Sequence, residues 1–325
     1  MSARSLLRLG LLALLWGSNF LLIAFALESF APEQVLVGRL VLGMLTVVGI
    51  LLASGQRLPT GIGVWKHLAV AAVVGNVVPY YLFAWAEQTV ASSLAGVLNA
   101  TTPLFTLAIG VAARQERHVS ADRALGLVVG FAGVLAILAP WTAADLGGLA
   151  GQAGVLLASA LYGVVYVYQR RYLTGRGVPP LALAAGQLVA ASAALLPVIP
   201  VVLTAPVSWD VLPVASVIAL GALGTGVAYA INFRLIQDEG ATNASTVTYL
   251  LPVIAVVLGA LFLAEAVSLN VVLGTLTVFV GIALTQQRLR PLAWWSARFS
   301  ATAPAAAVEQ PAPDTAEPHS AAARR

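Results

Sequence analysis

Between Leu6 and Gln287 the chain is a succession of apolar stretches of about twenty residues, separated by short polar turns. A helix of that length rises about 30 Å, which is the thickness of a bilayer's hydrocarbon core. A chain of 325 residues could in principle bury one soluble core, but only 9% of this one is charged and 60% is apolar. Ordinary soluble domains carry roughly 25% and 45–50%. The chain therefore reads as an all-α integral membrane protein.

Ten spans follow from the pattern, at about 6–27, 34–53, 67–86, 91–112, 124–139, 151–172, 181–203, 213–235, 241–262 and 271–287. Turn signals such as "SGQRLP", "TGRGVPP" and "TAPVSWDVLP" join them. The apolar run after Arg4 and Arg8 is too long for a signal peptide and is read as a retained first helix. Residues 288–325, rich in Pro and Ala, are expected to form a disordered cytoplasmic tail.

Basic residues support the count. All of the 17 Lys and Arg except Arg39 fall before or at the start of span one, between spans two and three or four and five, at the end of span six or between six and seven, at the end of span eight, or after span ten. These positions share one side of a ten-span topology, which places both termini in the cytoplasm. Trp294 and Trp295, just past the last span, suit an interfacial belt. The net charge of +4 is spread over these loops and forms no patch, so nucleic acid is not an expected partner. With no Cys, disulfides and thiolate metal sites are excluded.

The second half echoes the first. At an offset of 149 residues Tyr80 matches Tyr229, Ala95 matches Ala244, Pro103 matches Pro252 and Glu116 matches Glu265. At 148, Ser120 matches Ser268, Gly126 matches Gly274 and Gly133 matches Gly281, and each Ser precedes an apolar run as a helix cap. Residues 6–139 and 151–287 thus form two five-helix units, and an odd number forces the second to enter the membrane inverted. Such repeats are a transporter architecture: similar halves in opposite orientation give two states of similar energy, one open to each side.

The stretches "NATTPLFTLAIGVAARQE" (Asn99 to Glu116) and "TYLLPVIAVVLGALFLAE" (Thr248 to Glu265), with "LLALLWGSNF" and "VLVGRLVLG" around Arg39, make the chain resemble the EamA branch of the drug/metabolite transporter superfamily. The resemblance covers residues 6–287 and departs at "RQE", where a small residue usually precedes the Glu. It implies a ten-helix bundle that exports or exchanges small metabolites, often amino acids, through a central cavity. High Ala and Gly content and the lack of a eukaryotic targeting signal fit a bacterial inner membrane, with membrane lipids and a small-molecule substrate as partners.

Polar residues within the spans are the candidate lining. Pro103 removes an N–H and clashes with the Asn99 carbonyl, so span four should kink there; Pro252 repeats this in span nine. Asn99, Thr101, Thr102, Thr248 and Tyr249 then either face a cavity or bond their own helices. Arg39 either holds a substrate carboxylate or snorkels outward to Glu28, Glu33 or a helix-end carbonyl, and Gln187 is its repeat counterpart. Trp16, Asn19, Asn76, Tyr80, Trp85, Tyr162, Tyr166, Tyr229 and Asn232 are further candidates, as lining or as packing. Gly126, Gly130 and Gly133 suit close helix packing within the bundle, with a homodimer as the alternative.

No Asp or Glu lies deep in a span, which predicts a facilitator or exchanger, or coupling through a helix-end group such as Glu87. No HExxH motif, Gly-rich phosphate loop, paired intramembrane carboxylates or Ser–His–Asp set is present, so neither an enzyme nor a cofactor is expected. A passive pore and, less readily, a membrane-embedded lipid enzyme remain the rival readings.

Overall fold

The structure is a computed structural model that describes residues 2–115, 120–138, 146–173, 175–239, 247, 250–286 and 288–289. Among these every regular element is helical. The helices are α1 (Ala3–Gly17), α2 (Asn19–Leu27), α3 (Pro32–Ala53), α4 (Ile62–Ala72), α5 (Val78–Ala86), α6 (Ser92–Asn99), α7 (Thr102–Ala112) and α8 (Ala121–Leu138). They continue as α9 (Leu146–Tyr172), α10 (Pro180–Ala194), α11 (Ile199–Thr204), α12 (Val211–Ile218), α13 (Ala228–Glu239), α14 (Leu251–Phe262) and α15 (Leu269–Thr285). Two π-helical segments, Val73–Val77 and Ala219–Val227, join α4 to α5 and α12 to α13. The expected tail beyond Leu289, with Trp294 and Trp295, lies outside the described residues.

Local chemistry sets these boundaries. Pro32 opens α3 with φ already helical, and the Gln34 side chain takes the free Ala31 N–H at 2.8 Å. The expected serine caps form as long hydrogen bonds of 3.4 Å, Ser120 from Arg123 N and Ser268 from Val271 N. Gly175 and Gly177 carry the positive φ (78° and 72°) that turns "TGRGVPP".

Among the described residues six helical runs are long and apolar enough to cross a bilayer: Ala3–Leu27, Pro32–Ala53, Ile62–Ala86, Ser92–Ala112, Gly148–Tyr172 and Val211–Asn232. Pro180–Ala194, Leu250–Phe262 and Leu269–Thr285 are shorter apolar helices. The expectation of one continuous helix over 181–203 is corrected. The chain turns at Leu195–Val198, where Pro197 cannot donate and Pro200 restarts α11.

The bundle is apolar outward: Leu7, Val128, Leu261 and Leu273 are exposed, whereas Arg39, Asn76, Gln187 and Thr225 are buried. That inverts the distribution expected of a protein in water. α8 packs on α15 through glycines, the most extensive helix contact in the bundle. A Cβ on Gly133 would stand 2.8 Å from the Gly274 carbonyl oxygen, and one on Gly281 2.5 Å from Gly130 Cα. The Gly126–Gly130–Gly133 face is therefore used inside the chain, and a homodimer would need a different surface. Elsewhere α3 packs on the π segment 219–227, α10 on α4, α5 on α9, α1 on α13, α6 on α14, α7 on α9 and α1 on α14.

Candidate functional site

Polar side chains from both halves meet inside the bundle. Arg39, on α3 and 6% exposed, donates through Nε to Thr225 Oγ1 at 3.1 Å. Its guanidinium carbon lies 3.7 Å from the centre of the Tyr80 ring, a cation–π contact. With the Asn19 amide oriented so that its nitrogen donates to the Leu15 carbonyl at 3.0 Å, its oxygen accepts from Arg39 Nη2 at 3.3 Å. Among the described residues no carboxylate forms an ion pair with Arg39. It does not snorkel to Glu28 or Glu33; the cation turns inward.

A second set of contacts begins at Tyr80. Its hydroxyl is 3.3 Å from that of Tyr229, which also accepts from Asn76 Nδ2 at 3.2 Å. Asn76 Oδ1 accepts from Gln187 Nε2 at 2.5 Å, and Gln187 Oε1 accepts from Gln169 Nε2 at 2.7 Å. Gln187 Nε2 also reaches the Ala71 carbonyl at 3.3 Å. The arrangement crosses over: Arg39 from the first half bonds Thr225 in the second, and Gln187 from the second bonds Asn76 in the first.

Asn76 and Thr225, both fully buried, occupy the two π segments. In the first, Val78 N–H reaches back five residues to the Val73 carbonyl. Pro79 follows, whose ring would crowd the Gly75 carbonyl in a regular α-helix, and a widened turn relieves that clash. In the second, Gly221 and Gly226 let the α3 backbone approach closely: a Cβ on either would lie 3.1–3.2 Å from carbonyl oxygens of Arg39, Gly38 or Gly43. Thr225 donates to the Leu220 carbonyl, five residues back, at 3.1 Å. π turns concentrate at functional sites because they aim side chains a regular helix would misdirect.

Of the sequence candidates, Asn19, Arg39, Asn76, Tyr80, Gln187 and Tyr229 are brought together here. Tyr162 is half-buried beside them, its ring 5.9 Å from that of Phe83. Trp16 lies apart, packed against the cluster of Leu12, Ala228 and Leu251, and Asn232 is half-buried on α13. Trp85 and Tyr166 are on the exterior, 37% and 53% exposed. Span four breaks at Ala100–Thr101, with Pro103 in the first turn of α7, and Pro252 likewise opens α14. The freed carbonyls take donors from their own helix: Thr101 Oγ1 reaches Leu98 O at 2.6 Å and Thr102 Oγ1 reaches Asn99 O at 2.8 Å. Thr248, Tyr249, Ala244 and Glu116 lie outside the described residues.

Sequence reasoning missed Thr225, since a lone threonine among glycines carries no signal of its own. Carrying Asn76 forward by the 149-residue offset would have found it.

The chain matches the EamA-like transporter family over residues 5–139 and again over 149–286. It is 24% identical over 277 residues to an uncharacterized transporter of Archaeoglobus fulgidus, covering 84% of this chain and 95% of that one. Identity to the uncharacterized transporter YdfC of Bacillus subtilis is also 24%, with 86% and 89% covered. For the uncharacterized inner membrane transporter YedA of Escherichia coli K12 it is 26%, with 76% and 79% covered. A solved crystal structure shares the fold with a TM-score of 0.62 at 19% identity, covering 89% of this chain and 99% of that one. A helical bundle with an apolar exterior, polar contacts crossing between its halves and two matches to one family make this chain a multi-pass membrane protein of the EamA-like transporter family.

Proposed function

We propose that the chain is a secondary transporter built of ten spans in two inverted five-helix repeats, moving small carboxylate-bearing metabolites by alternating access, with amino acids as the leading class. The inverted arrangement is supported by the helix pairings, which come as related sets. The contact of α3 with segment 219–227 has its counterpart in α10 with α4, α5·α9 in α13·α1, and α7·α9 in α14·α1, while α8·α15 joins corresponding helices and α6·α14 joins the corresponding spans four and nine. Both termini then lie in the cytoplasm of a bacterial inner membrane.

The observation that carries the substrate class is Arg39. A guanidinium inside the bundle costs about 2.5–3.5 kcal/mol to insert at mid-helix. Here it rests on a threonine hydroxyl, an amide and an aromatic face, with no carboxylate of the described residues paired to it. A substrate carboxylate would complete it, and the Tyr80, Tyr162 and Tyr229 rings suit a small, partly apolar remainder.

The test is reconstitution of the purified protein in liposomes with a panel of labelled amino acids. Saturable flux and counter-transport are expected for at least one of them, with Arg39→Ala lowering it at least about tenfold, the loss of one charge-assisted hydrogen bond. Flux without saturation or counter-transport would mean a pore and overturn the reading.

A further inference from the structure

Glu87 follows α5 directly, at the end of the bundle where α6 begins and α14 ends. Both of its carboxylate oxygens are buried and neither has a hydrogen-bond partner. Its neighbours Phe83, Ala86 and Val90 belong to the largest apolar cluster.

Among the described residues, two charged groups act on it: the Glu265 carboxylate, which repels its ionised form, and the Arg39 guanidinium, which favours it. Arg39 comes from α3; α9 carries no charge before Arg170 near its far end, and α2 carries none. Glu265 is itself engaged. It accepts from Ser92 N at 2.8 Å and Ser93 N at 2.9 Å, a clamp that ties the chain just past α14 to the first turn of α6. Glu87 has no such donors. An ionised carboxyl held there would be desolvated, unbonded and beside a second carboxylate, so the group neutralises by holding a proton. Burial first, and Glu265 second, push the Glu87 carboxyl well above the usual carboxylate range, against the opposing pull of Arg39.

We propose that Glu87 is a proton-binding site that has to be loaded for this end of the bundle to close, so that the Glu265 clamp on Ser92 and Ser93 forms preferentially with Glu87 protonated. The idea rests on the alternating-access reading in requiring that this end open. Opening admits water to the carboxyl, restores its ordinary acidity and releases the proton to that water; closing takes one up. Between the two acidities the ratio of closed to open molecules falls about tenfold for each unit rise in pH.

The chain contains no cysteine, so spin labels at Gln88→Cys and Val267→Cys report on this end without removing any native thiol. In the full-length protein in lipid nanodiscs, pulsed electron–electron distances should shift toward the short population as pH falls, by about tenfold in ratio per unit within the window. Glu87→Gln should hold the short population at every pH. A Glu87→Gln profile that tracks wild type would overturn the proposal. Infrared spectra of the unlabelled wild type supply a second measurement. A protonated-carboxyl stretch should persist in the wild type above the pH at which ordinary carboxylates have ionised and be absent from both Glu87→Gln and Glu87→Met; a wild type lacking it refutes the site. Neither measurement uses a transported solute, so failure of the liposome flux assay would remove the transport reading and leave the proton site standing or falling on its own data.

Discussion

Arg39 and Gln187 do related work with different chemistry. Each reaches from its own half into the π segment of the other, one to a hydroxyl and one to an amide. Thr225→Val keeps the shape but leaves Arg39 Nε without its acceptor, at a cost of about 1–3 kcal/mol for a buried unsatisfied group. A lowered melting temperature is expected in detergent, with Thr225→Ser close to wild type. Glu87 makes stability depend on pH with a definite sign. Its folded-state acidity is weakened relative to the unfolded chain, so its contribution is intact below the ordinary carboxylate range and is lost as pH rises through the raised folded value. Melting temperature should fall with rising pH through that window, and Glu87→Gln should flatten the fall; an unchanged slope in the variant would count against the burial of this carboxyl.

Glycine has opposite meanings on different helices. On α8 and α15 it is a contact surface, because a Cβ at Gly133, Gly274 or Gly281 would run into backbone of the facing helix at 2.5–2.9 Å. Backbone cannot swing aside as a side chain does, so Gly281→Val should cost about 1–3 kcal/mol or more by overpacking. At Gly49, on the exposed face of α3, nothing lies within 4 Å of the place an alanine methyl would take. There Gly49→Ala should stabilise by about 0.5–1 kcal/mol through the chain entropy it removes. Thermal unfolding of the two variants side by side checks the contrast. The glycines of α8 were legible in sequence as a small-residue stripe, but which helix they served was not.

Across the whole molecule, orientation is the property most open to direct test. A reporter active only in the cytoplasm should work when fused in the loops at 54–61 and 173–179, and fail at 28–31 and 205–210. An exported phosphatase should give the reverse, and agreement between the two sets of loops in either assay would break the ten-span inverted arrangement. The split of the seventh span at Leu195–Val198 does not alter that prediction, since in the proposed arrangement α10 and α11 together make one crossing.

The membrane class, the serine caps and the half-to-half correspondence were legible in the chain, because each depends on residues near one another or on a repeat that can be counted. The six candidate polar residues that meet inside the bundle also stood out, since amides, charges and tyrosines in apolar surroundings are visible wherever they occur. What linear order could not decide was direction and partnership. Whether Arg39 turned outward to Glu28 or inward to Thr225, whether Tyr166 faced the bundle or the exterior, and whether Thr101 bonded a ligand or its own helix all depend on which helices lie alongside. Hydrophobicity is blind to direction: it brings a helix into the bilayer but does not choose the face it turns inward. Contacts between groups more than a hundred residues apart make that choice, and only the folded bundle contains them.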